Sequence, residues 1–366
     1  MQKSRIVFFM LTFVGITTNI MADAMPASLL NWQKQNHIPA VSMTIDNSNG
    51  TKSYYSGTTA IGNTTKLQQH DYFQIGSITK TFTAAAILTL EQNGKLNIND
   101  PLGKYLKNYP RWSKITLKQL LNMTSGIYNY TDALPIMSLP KAQQEKLYSA
   151  DELVQIAYKH KDYFASGSSW KYSNTNYVLL GMVVEQVSEH NLGEYLPLTF
   201  FEPLELNYTQ YVDNGFPSNV KPFLVHGYRD NKDVTDINLS SYDAAGAIIS
   251  NTNDIAKWFR LLMSGQVLAK TQQQELTSTI AIGEHKPKPT SARFGLGVYE
   301  YTSTQYGKIW WYQGVTEGYV AFVGYLPQKD VSFAIMTNKR NSANINYFMP
   351  DNQLMKTLIP QILKTQ

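Results

Sequence analysis

Ser77 and Lys80 stand three residues apart, at the start of a segment whose apolar residues recur with helical spacing. Residues at this spacing lie on one face of a helix, so the lysine amine can reach the serine hydroxyl. If burial or a neighbouring charge keeps the amine neutral, it can take or relay the hydroxyl proton. The positive end of the helix dipole also favours negative charge on the serine oxygen. The pair indicates a serine nucleophile; the alternative is a capping serine beside a solvated lysine.

Only the segment after Ser77 continues with a helical pattern. Ser-x-x-Lys recurs at Ser138/Lys141, Ser168/Lys171 and Ser218/Lys221, where neighbouring proline or glycine does not suit a helix interior. After Ser77, apolar or small residues recur between Phe82 and Leu90, and Asn93-Gly94 forms a C-terminal stop. We therefore predict a helix over 79–92 and take Ser77 and Lys80 as the candidate catalytic pair, with the capping serine as the alternative.

A second arrangement of chemically useful residues is Tyr172-Ser173-Asn174, the one Tyr-x-Asn in the chain, which stands just before a predicted helix. Tyr172 would act as a phenolate or a hydrogen-bond relay beside the serine and lysine. The Asn174 amide would donate to a substrate carbonyl and hold Lys80. The alternative is that Ser173 or Asn174 caps the helix.

The first 24 residues have the pattern of an export signal. Lys3 and Arg5 precede an apolar stretch over 6–16, and Ala22 and Ala24 form a small-x-small cleavage site. We therefore expect a mature chain from Met25 that is periplasmic or secreted. The chain has no cysteine, which excludes disulfides, a thiol nucleophile and a lipid-attachment cysteine. No later apolar run reaches the length of a membrane span, so no membrane anchor is expected.

Charge and composition exclude other classes of function. The formal net charge is +5 with no dense basic run, which argues against nucleic acid as a partner. The six histidines have no metal-ligand spacing, and no glycine-rich loop fits a dinucleotide. We expect neither a metal nor a cofactor.

The predicted elements favour an α+β fold in one domain over 25–366. Strands are predicted at both ends of the chain, over 41–46, 53–59, 294–301, 308–313, 319–326 and 331–337. Helices are predicted over 27–35, 79–92, 116–123, 151–159, 175–189, 253–263 and 351–364. The terminal strands, too few to stand alone, should pair into one antiparallel sheet flanked by helices. The α/β part then comprises about 25–76 and 290–366, with a helical region over about 77–289 inserted between.

Five motifs in this order resemble the serine β-lactamase-related family, in particular its branch of class C β-lactamases, D-alanyl-D-alanine carboxypeptidases and carboxylesterases. They are Phe73–Thr83, Asp100-Pro101-Leu102, Leu120–Ile127, Tyr172-Ser173-Asn174 and Gly246–Ser250. The resemblance implies a β-lactamase/transpeptidase-like fold. By the same resemblance Ser77 is acylated, Lys80 and Tyr172 form the proton-transfer pair, and Asn174 contacts the substrate.

The third motif of the family is a Lys or His, any residue, then Gly, and here it reads Tyr312-Gln313-Gly314. Gly314 would let the strand backbone approach the acyl group. The resemblance implies that the amides of Val315 and Ser77 form the oxyanion hole. Tyr312 would contact the substrate but lacks a positive charge. We therefore expect uncharged esters to be hydrolysed more readily than substrates carrying a carboxylate.

These observations predict a serine hydrolase that forms an acyl-enzyme on Ser77 and releases it to water. The substrates would be amides or esters: β-lactams, D-amino-acid peptides or small esters, including peptidoglycan-derived ones. The alternative is a non-catalytic penicillin-binding-like sensor or peptidoglycan-binding protein. The oligomeric state is left open.

Overall fold

An antiparallel sheet built from both ends of the chain is the frame of the molecule. The computed structural model describes residues 24–282, 292–341 and 345–364, so most of the predicted export signal lies outside the described residues. The strands are β1 (Ala40–Asn47), β2 (Gly50–Gly57), β3 (Phe73–Gln74), β4 (Gln210–Tyr211), β5 (Tyr228–Arg229), β6 (Lys232–Asp233), β7 (Ile248–Ser250), β8 (Ile280–Ala281), β9 (Arg293–Phe294), β10 (Tyr299–Ser303), β11 (Gly307–Val315), β12 (Val320–Leu326), β13 (Val331–Thr337) and β14 (Lys339–Arg340).

Most of the helices lie between the two strand-forming ends. They are α1 (Ala27–Gln35), α2 (Thr79–Gln92), α3 (Leu117–Leu121), α4 (Tyr130–Ala133), α5 (Lys141–Gln144), α6 (Ala150–Tyr158), α7 (Asn174–Ser188), α8 (Leu192–Leu196), α9 (Thr252–Met263), α10 (Lys270–Leu276) and α11 (Gln353–Lys364). None of the described helices is both long enough and apolar enough to cross a membrane.

The strand order of the large sheet is β2-β1-β13-β12-β11-β10-β9-β8. Strand β1 pairs antiparallel with β13, with Val41 opposite Thr337, so the N-terminal hairpin joins the C-terminal strands directly. The predicted α+β fold, with one antiparallel sheet from both chain ends, is confirmed. Two predicted strands differ from the structure. The segment predicted as one strand over 294–301 is divided into β9 and β10. Strand β2 runs over Gly50–Gly57 and not 53–59, because Asn47 pairs with Gly50 and the turn contains only two residues.

The centre of this sheet is covered on both faces, and every residue of β12 and β13 is buried. Helices α1 and α11 cover one face, where Trp311, Phe322 and Phe333 stack across neighbouring strands. On the other face, α9 packs against β1 and β13. There the hydroxyl of Thr252 lies 2.7 Å from that of Ser42. Strands buried on both faces read as continuous apolar runs, which explains why their extents were predictable.

Helix α2 runs through the interior of the helical region and is buried over most of its length. Phe82 on α2 stacks on Trp258 of α9, with ring centroids 4.0 Å apart, and meets Phe201 edge-on at 5.5 Å. Its first turn follows directly on the 3₁₀ turn Gly76–Ile78. The packing therefore holds the Ser77 turn against the body of the protein.

Short strands that the sequence analysis does not predict lie in the inserted region and in the segments that flank it. They form two small sheets, with the orders β3-β7-β4 and β14-β5-β6. Strands of two or three residues are too short to show alternation. The first of these sheets holds the segment before Ser77, because Phe73 pairs with Ser250 and Gln74 with Ile249.

The position of Phe82 generates a stability prediction. Phe82→Ala should lower the free energy of unfolding by about 3–5 kcal/mol, the usual cost of truncating a buried phenylalanine. Chemical denaturation followed by circular dichroism measures this change. Leu198→Ala is the control, because Leu198 is 57% exposed and should cost under about 0.5 kcal/mol. Equal losses in the two variants would contradict the central role of the α2–α9 contact.

Candidate active site

Ser77 lines a cavity of about 370 Å³. The lining residues come from the Ser77 turn, the segment around α4, the start of α7 and the end of β11. Tyr172, Asn174 and Val315, which sequence analysis assigned to the site, line the same cavity. The fold therefore brings together residues separated by more than two hundred positions.

Lys80 is fully buried in the first turn of α2. Its Nζ lies 3.0 Å from Ser77 Oγ and donates to the carbonyl oxygen of Ala245 at 2.7 Å. Burial lowers the pKa of the Lys80 amine well below its usual range, because desolvation disfavours the charged form. In its neutral form the amine has a lone pair with which it can accept the Ser77 proton.

The hydroxyl of Tyr172 lies 2.7 Å from Ser77 Oγ. Burial raises its pKa to about 12, so the hydroxyl is protonated at neutral pH. Of the two roles considered for Tyr172, this favours the hydrogen-bond relay over the phenolate. The preceding residue is held by the backbone, since Lys171 N–H donates to the Met123 carbonyl at 3.1 Å. Met123 has a left-handed backbone with φ +64°.

Asn174 is the first residue of α7 and donates through Nδ2 to the Thr131 hydroxyl at 3.2 Å. Its backbone N–H is capped by Asn129, whose Oδ1 accepts at 2.9 Å. The Ser173 side chain makes no capping hydrogen bond. The second role expected of Asn174, holding Lys80, belongs instead to the carbonyl of Ala245.

Two glycines allow the Ser77 turn and β11 to meet backbone to backbone. A methyl group on Gly314 would lie 1.7 Å from the Ile75 carbonyl oxygen and 3.0 Å from the Ser77 nitrogen. One on Gly76, which also has φ +49°, would lie 2.8 Å from the Val315 nitrogen. No side chain fits between these segments. The amides assigned to the oxyanion hole therefore lie on two backbones in direct contact.

The pairing of β11 shows which way the Val315 amide points. Thr316 N–H donates to the Tyr319 carbonyl at 3.1 Å, and Val315 is opposite Val320. Hydrogen-bonded and non-hydrogen-bonded pairs alternate in an antiparallel ladder, so the Val315 N–H points away from β12. Strand β10 pairs with β11 only as far as Trp311. The edge of β11 beyond Trp311 thus faces the Ser77 turn.

Tyr312 does not line the cavity. Its side chain is 1% exposed, and its ring packs edge-on against Tyr299 and Phe294, with centroids 5.2 and 6.5 Å away. In the described part of the chain, no group makes a hydrogen bond of regular geometry with its hydroxyl. The structure therefore places Tyr312 in the core behind the site, next to Tyr172.

Sequence analysis missed a charged group on the cavity wall. Arg229, Glu317 and Arg340 line the cavity, together with Tyr242. The Glu317 carboxylate pairs with both guanidinium groups. No motif connects these residues. Glu317 is 23 positions from Arg340 and 88 positions from Arg229, and ion pairs between such distant positions leave no pattern in the sequence. Within the described ranges, no cluster of three or more His, Asp or Glu side chains could hold a metal ion.

Comparison with known proteins gives the family. A family model described as beta-lactamase matches residues 19–353. The chain belongs to the beta-lactamase family. The resemblance stated from the motifs is thereby confirmed, and the fold is that of the serine hydrolases of this family.

Curated relatives of this beta-lactamase-family protein include penicillin-binding protein 4* of Bacillus subtilis, 23% identical, with 69% of this chain and 57% of the relative aligned. Another is protein flp of Staphylococcus aureus, which is 24% identical, with 73% of this chain and 52% of the relative aligned. The chain thus spans little more than half the length of these relatives.

Two solved structures show the same architecture. A D-stereospecific amidohydrolase from Streptomyces sp. superposes with a TM-score of 0.75 and 28% identity, covering 84% of this chain and 92% of the other. The D-amino acid amidase of Ochrobactrum anthropi SV3 superposes with a TM-score of 0.79 and 21% identity, and the superposition covers 92% of this chain and 97% of the amidase.

Gly314→Ala should damage both activity and stability, because the added methyl group would collide with the Ile75 carbonyl and separate β11 from the Ser77 turn. We expect kcat/KM for p-nitrophenyl butyrate to fall at least about 10²-fold, as for loss of one oxyanion donor. The free energy of unfolding should fall by about 1–3 kcal/mol. Gly193→Ala is the control, since its methyl would meet nothing closer than 3.2 Å. Unchanged kcat/KM in Gly314→Ala would show that this contact does not build the site.

Lys80→Met should lower turnover by about 10²–10⁴, the range for a positioned proton carrier, and change how stability depends on pH. The folded-state pKa of Lys80 is lowered, so the unfolded chain binds more protons between that pKa and about 10.4. Wild-type stability should therefore rise relative to Lys80→Met as the pH increases through this window. Denaturation curves at pH 7 and 10, with exposed Lys159→Met as control, measure this. A pH-independent difference would contradict the neutral amine.

Proposed function

We propose that this protein is a serine hydrolase that cleaves amide or ester substrates through an acyl-enzyme on Ser77. The observation that carries the proposal is the arrangement around one oxygen atom. Ser77 Oγ lies 3.0 Å from the buried Lys80 amine and 2.7 Å from the Tyr172 hydroxyl, at the wall of a cavity large enough for a small substrate. These distances are those required of a nucleophile and its base.

Acylation begins when Ser77 gives its proton to Lys80 and Oγ bonds to the substrate carbonyl carbon. The backbone N–H groups of Ser77 and Val315 donate to the oxygen that becomes negative. The C–N or C–O bond then breaks, and the proton on Lys80 passes to the leaving group by way of the Tyr172 hydroxyl. In deacylation, Lys80 takes a proton from water, the hydroxide attacks the ester carbon, and Ser77 Oγ recovers its proton.

The substrate class rests on comparison as well as geometry. The two solved structures reported above are named as an amidohydrolase and an amidase, and a curated relative is named as a penicillin-binding protein. We therefore propose small amides and esters, with D-amino-acid peptides and β-lactams among them. With the expected export signal, this makes peptidoglycan-derived fragments the proposed natural substrates and the periplasm or cell exterior the proposed location.

Ser77→Ala should abolish hydrolysis and covalent labelling without unfolding the protein, because it removes only the nucleophilic oxygen. Intact mass would be followed over time after addition of a fluorophosphonate and, separately, of a penicillin. Ser168→Ala is the matched control, since Ser168 also precedes a lysine by three residues but is exposed. Wild type and control should gain one adduct mass, and Ser77→Ala none.

Two other outcomes have definite meanings. A penicillin adduct that persists, with no turnover of any ester, would favour the non-catalytic penicillin-binding-like protein. Labelling of Ser77→Ala equal to wild type would overturn the assignment of the nucleophile.

A further inference from the structure

The Ala245 carbonyl is one of the two hydrogen-bond partners described for the Lys80 amine, and it orients that amine. The amine donates to this carbonyl at 2.7 Å and lies 3.0 Å from Ser77 Oγ. When the amine is neutral it has one lone pair, and an N–H directed at Ala245 leaves this lone pair free to meet the Ser77 proton. Because a lysine side chain is long and flexible, the base depends on where this carbonyl lies.

The segment that carries the carbonyl contacts α2 a second time. Residues Asp243–Ala245 form a 3₁₀ turn, and the Ala244 carbonyl accepts a hydrogen bond from the Thr83 hydroxyl at 2.8 Å. Thr83 and Lys80 are three residues apart and lie on one face of α2. Two successive carbonyls of the turn are thus fixed against the helix that carries the base.

The chain changes direction at Asp243. Ser241 and Tyr242, just before it, line the cavity, whereas the carbonyls of the two residues after it contact α2. Asp243 has a left-handed backbone with φ +45°, and its carbonyl accepts hydrogen bonds from the amides of Gly246 and Ala247, both at 2.9 Å. A left-handed backbone is unfavourable for residues with a Cβ, and Asp and Asn tolerate it best. The residue type at this position therefore suits the reversal.

The Asp243 side chain holds the turn in this conformation. Its Oδ1 accepts hydrogen bonds from the backbone N–H of Ala244 and from the Tyr211 hydroxyl of β4, the latter at 3.3 Å. A methyl group on Gly181 of α7 would lie 2.5 Å from Ala244 Cβ and 3.7 Å from Asp243 Oδ1, so α7 packs closely against the turn. Contacts with both β4 and α7 thus restrain it.

Asp243 is unfavourable at this position in two ways. Besides the left-handed backbone, burial raises the pKa of its carboxyl to about 7, and the nearby Glu185 and Asp213 add to the effect. Unfavourable backbone conformations persist only where the surrounding structure fixes them, and they concentrate at functional sites. The place of Asp243, between the cavity wall and the partner of Lys80, is such a site.

We infer that Asp243 is a positioning residue for the catalytic base. Its left-handed backbone and its side chain, which caps the Ala244 amide, fix the turn that presents the Ala245 carbonyl to Lys80. The inference rests on the proposed function and adds to it a residue that takes no part in proton transfer. Asp243 itself does not line the cavity.

Three substitutions at Asp243 test this role with p-nitrophenyl butyrate as substrate. Asp243→Asn keeps an acceptor for the Ala244 amide and tolerates the left-handed backbone, so kcat should stay within about threefold of wild type. Asp243→Ala lacks both properties and should lower kcat about 10²-fold, the effect of misplacing a catalytic group by about 1 Å, with KM changed less than about threefold. Asp243→Gly adopts the conformation freely but lacks the acceptor, so its kcat should fall between the two.

The outcomes that would overturn the inference are specific. Wild-type kcat in Asp243→Ala, or a loss in Asp243→Asn as large as in Asp243→Ala, would each do so. If Asp243→Ala does not fold, Asp243→Gly decides, and wild-type kcat in that variant would overturn the inference.

Asp330→Ala is the matched control. Asp330 also has a left-handed backbone, with φ +47°, but it lies in the turn between β12 and β13 and does not line the cavity. This substitution should lower stability and leave kcat unchanged. A fall in kcat equal to that of Asp243→Ala would show that general destabilisation causes the loss, and would overturn the inference.

The titration of Lys80 tests the inference without any substrate and so separates its failure from failure of the proposed function. NMR of lysine-labelled protein follows the side chain, and the Lys80 signal is assigned by its absence in Lys80→Met. A carbonyl acceptor favours the charged amine. Asp243→Ala should therefore lower the titration midpoint by about 0.5–1 pH unit, the equivalent of one hydrogen bond, and Asp243→Asn should leave it in place.

Two results of this titration have definite meanings. An unmoved midpoint in Asp243→Ala would overturn the positioning role even if wild type hydrolyses esters. A lowered midpoint in a protein that hydrolyses no ester or amide would support the positioning role and reject the hydrolase.

Discussion

The turn that carries Ser77 and the strand that carries Val315 touch through their backbones, and the site is built around this contact. Gly76 and Gly314 make this contact sterically feasible. The Ser77 turn packs against helix α2 and against strands β11 and β12 of the large sheet. A nucleophile from the helical region and an amide from the sheet thereby converge on one point. Catalytic groups must be held to within a fraction of an ångström, and two rigid elements achieve this better than a mobile loop.

The same packing buries Lys80, and no described residue places a carboxylate within salt-bridge distance of its amine. Desolvation of Lys80 is unfavourable for its charged form, and the Ala245 carbonyl and the Tyr172 ring supply the polar contacts that remain. The surrounding apolar core must offset this cost. Active sites commonly reduce stability in this way, and the site here places an amine of lowered pKa and a protonated tyrosine on either side of one hydroxyl.

Much of the fold and part of the site could be predicted, because they depend on local patterns. Ser77 and Lys80 are one helical turn apart, and the buried strands β12 and β13 are continuous apolar runs. The rest depends on contacts between distant residues. The Ala245 carbonyl, the Asn129 cap on Asn174 and the pairing of Glu317 with Arg340 depend on loop conformation, which has no sequence period. The burial of Tyr312 could not be predicted for a related reason, since alternation in a strand indicates which face a residue lies on but not which residues cover that face.

The pairing of β1 with β13 has a consequence for how the chain reaches its native state. Val41 and Thr337 are neighbours in the sheet but lie 337 − 41 = 296 residues apart. At about 5–20 residues per second of synthesis, the N-terminal hairpin waits roughly 15–60 s before its partner strand exists. Contacts of such long range also slow folding once the chain is complete. The helical region, rich in local contacts, can form first, and closure of the sheet around it is expected to be the late and slow event.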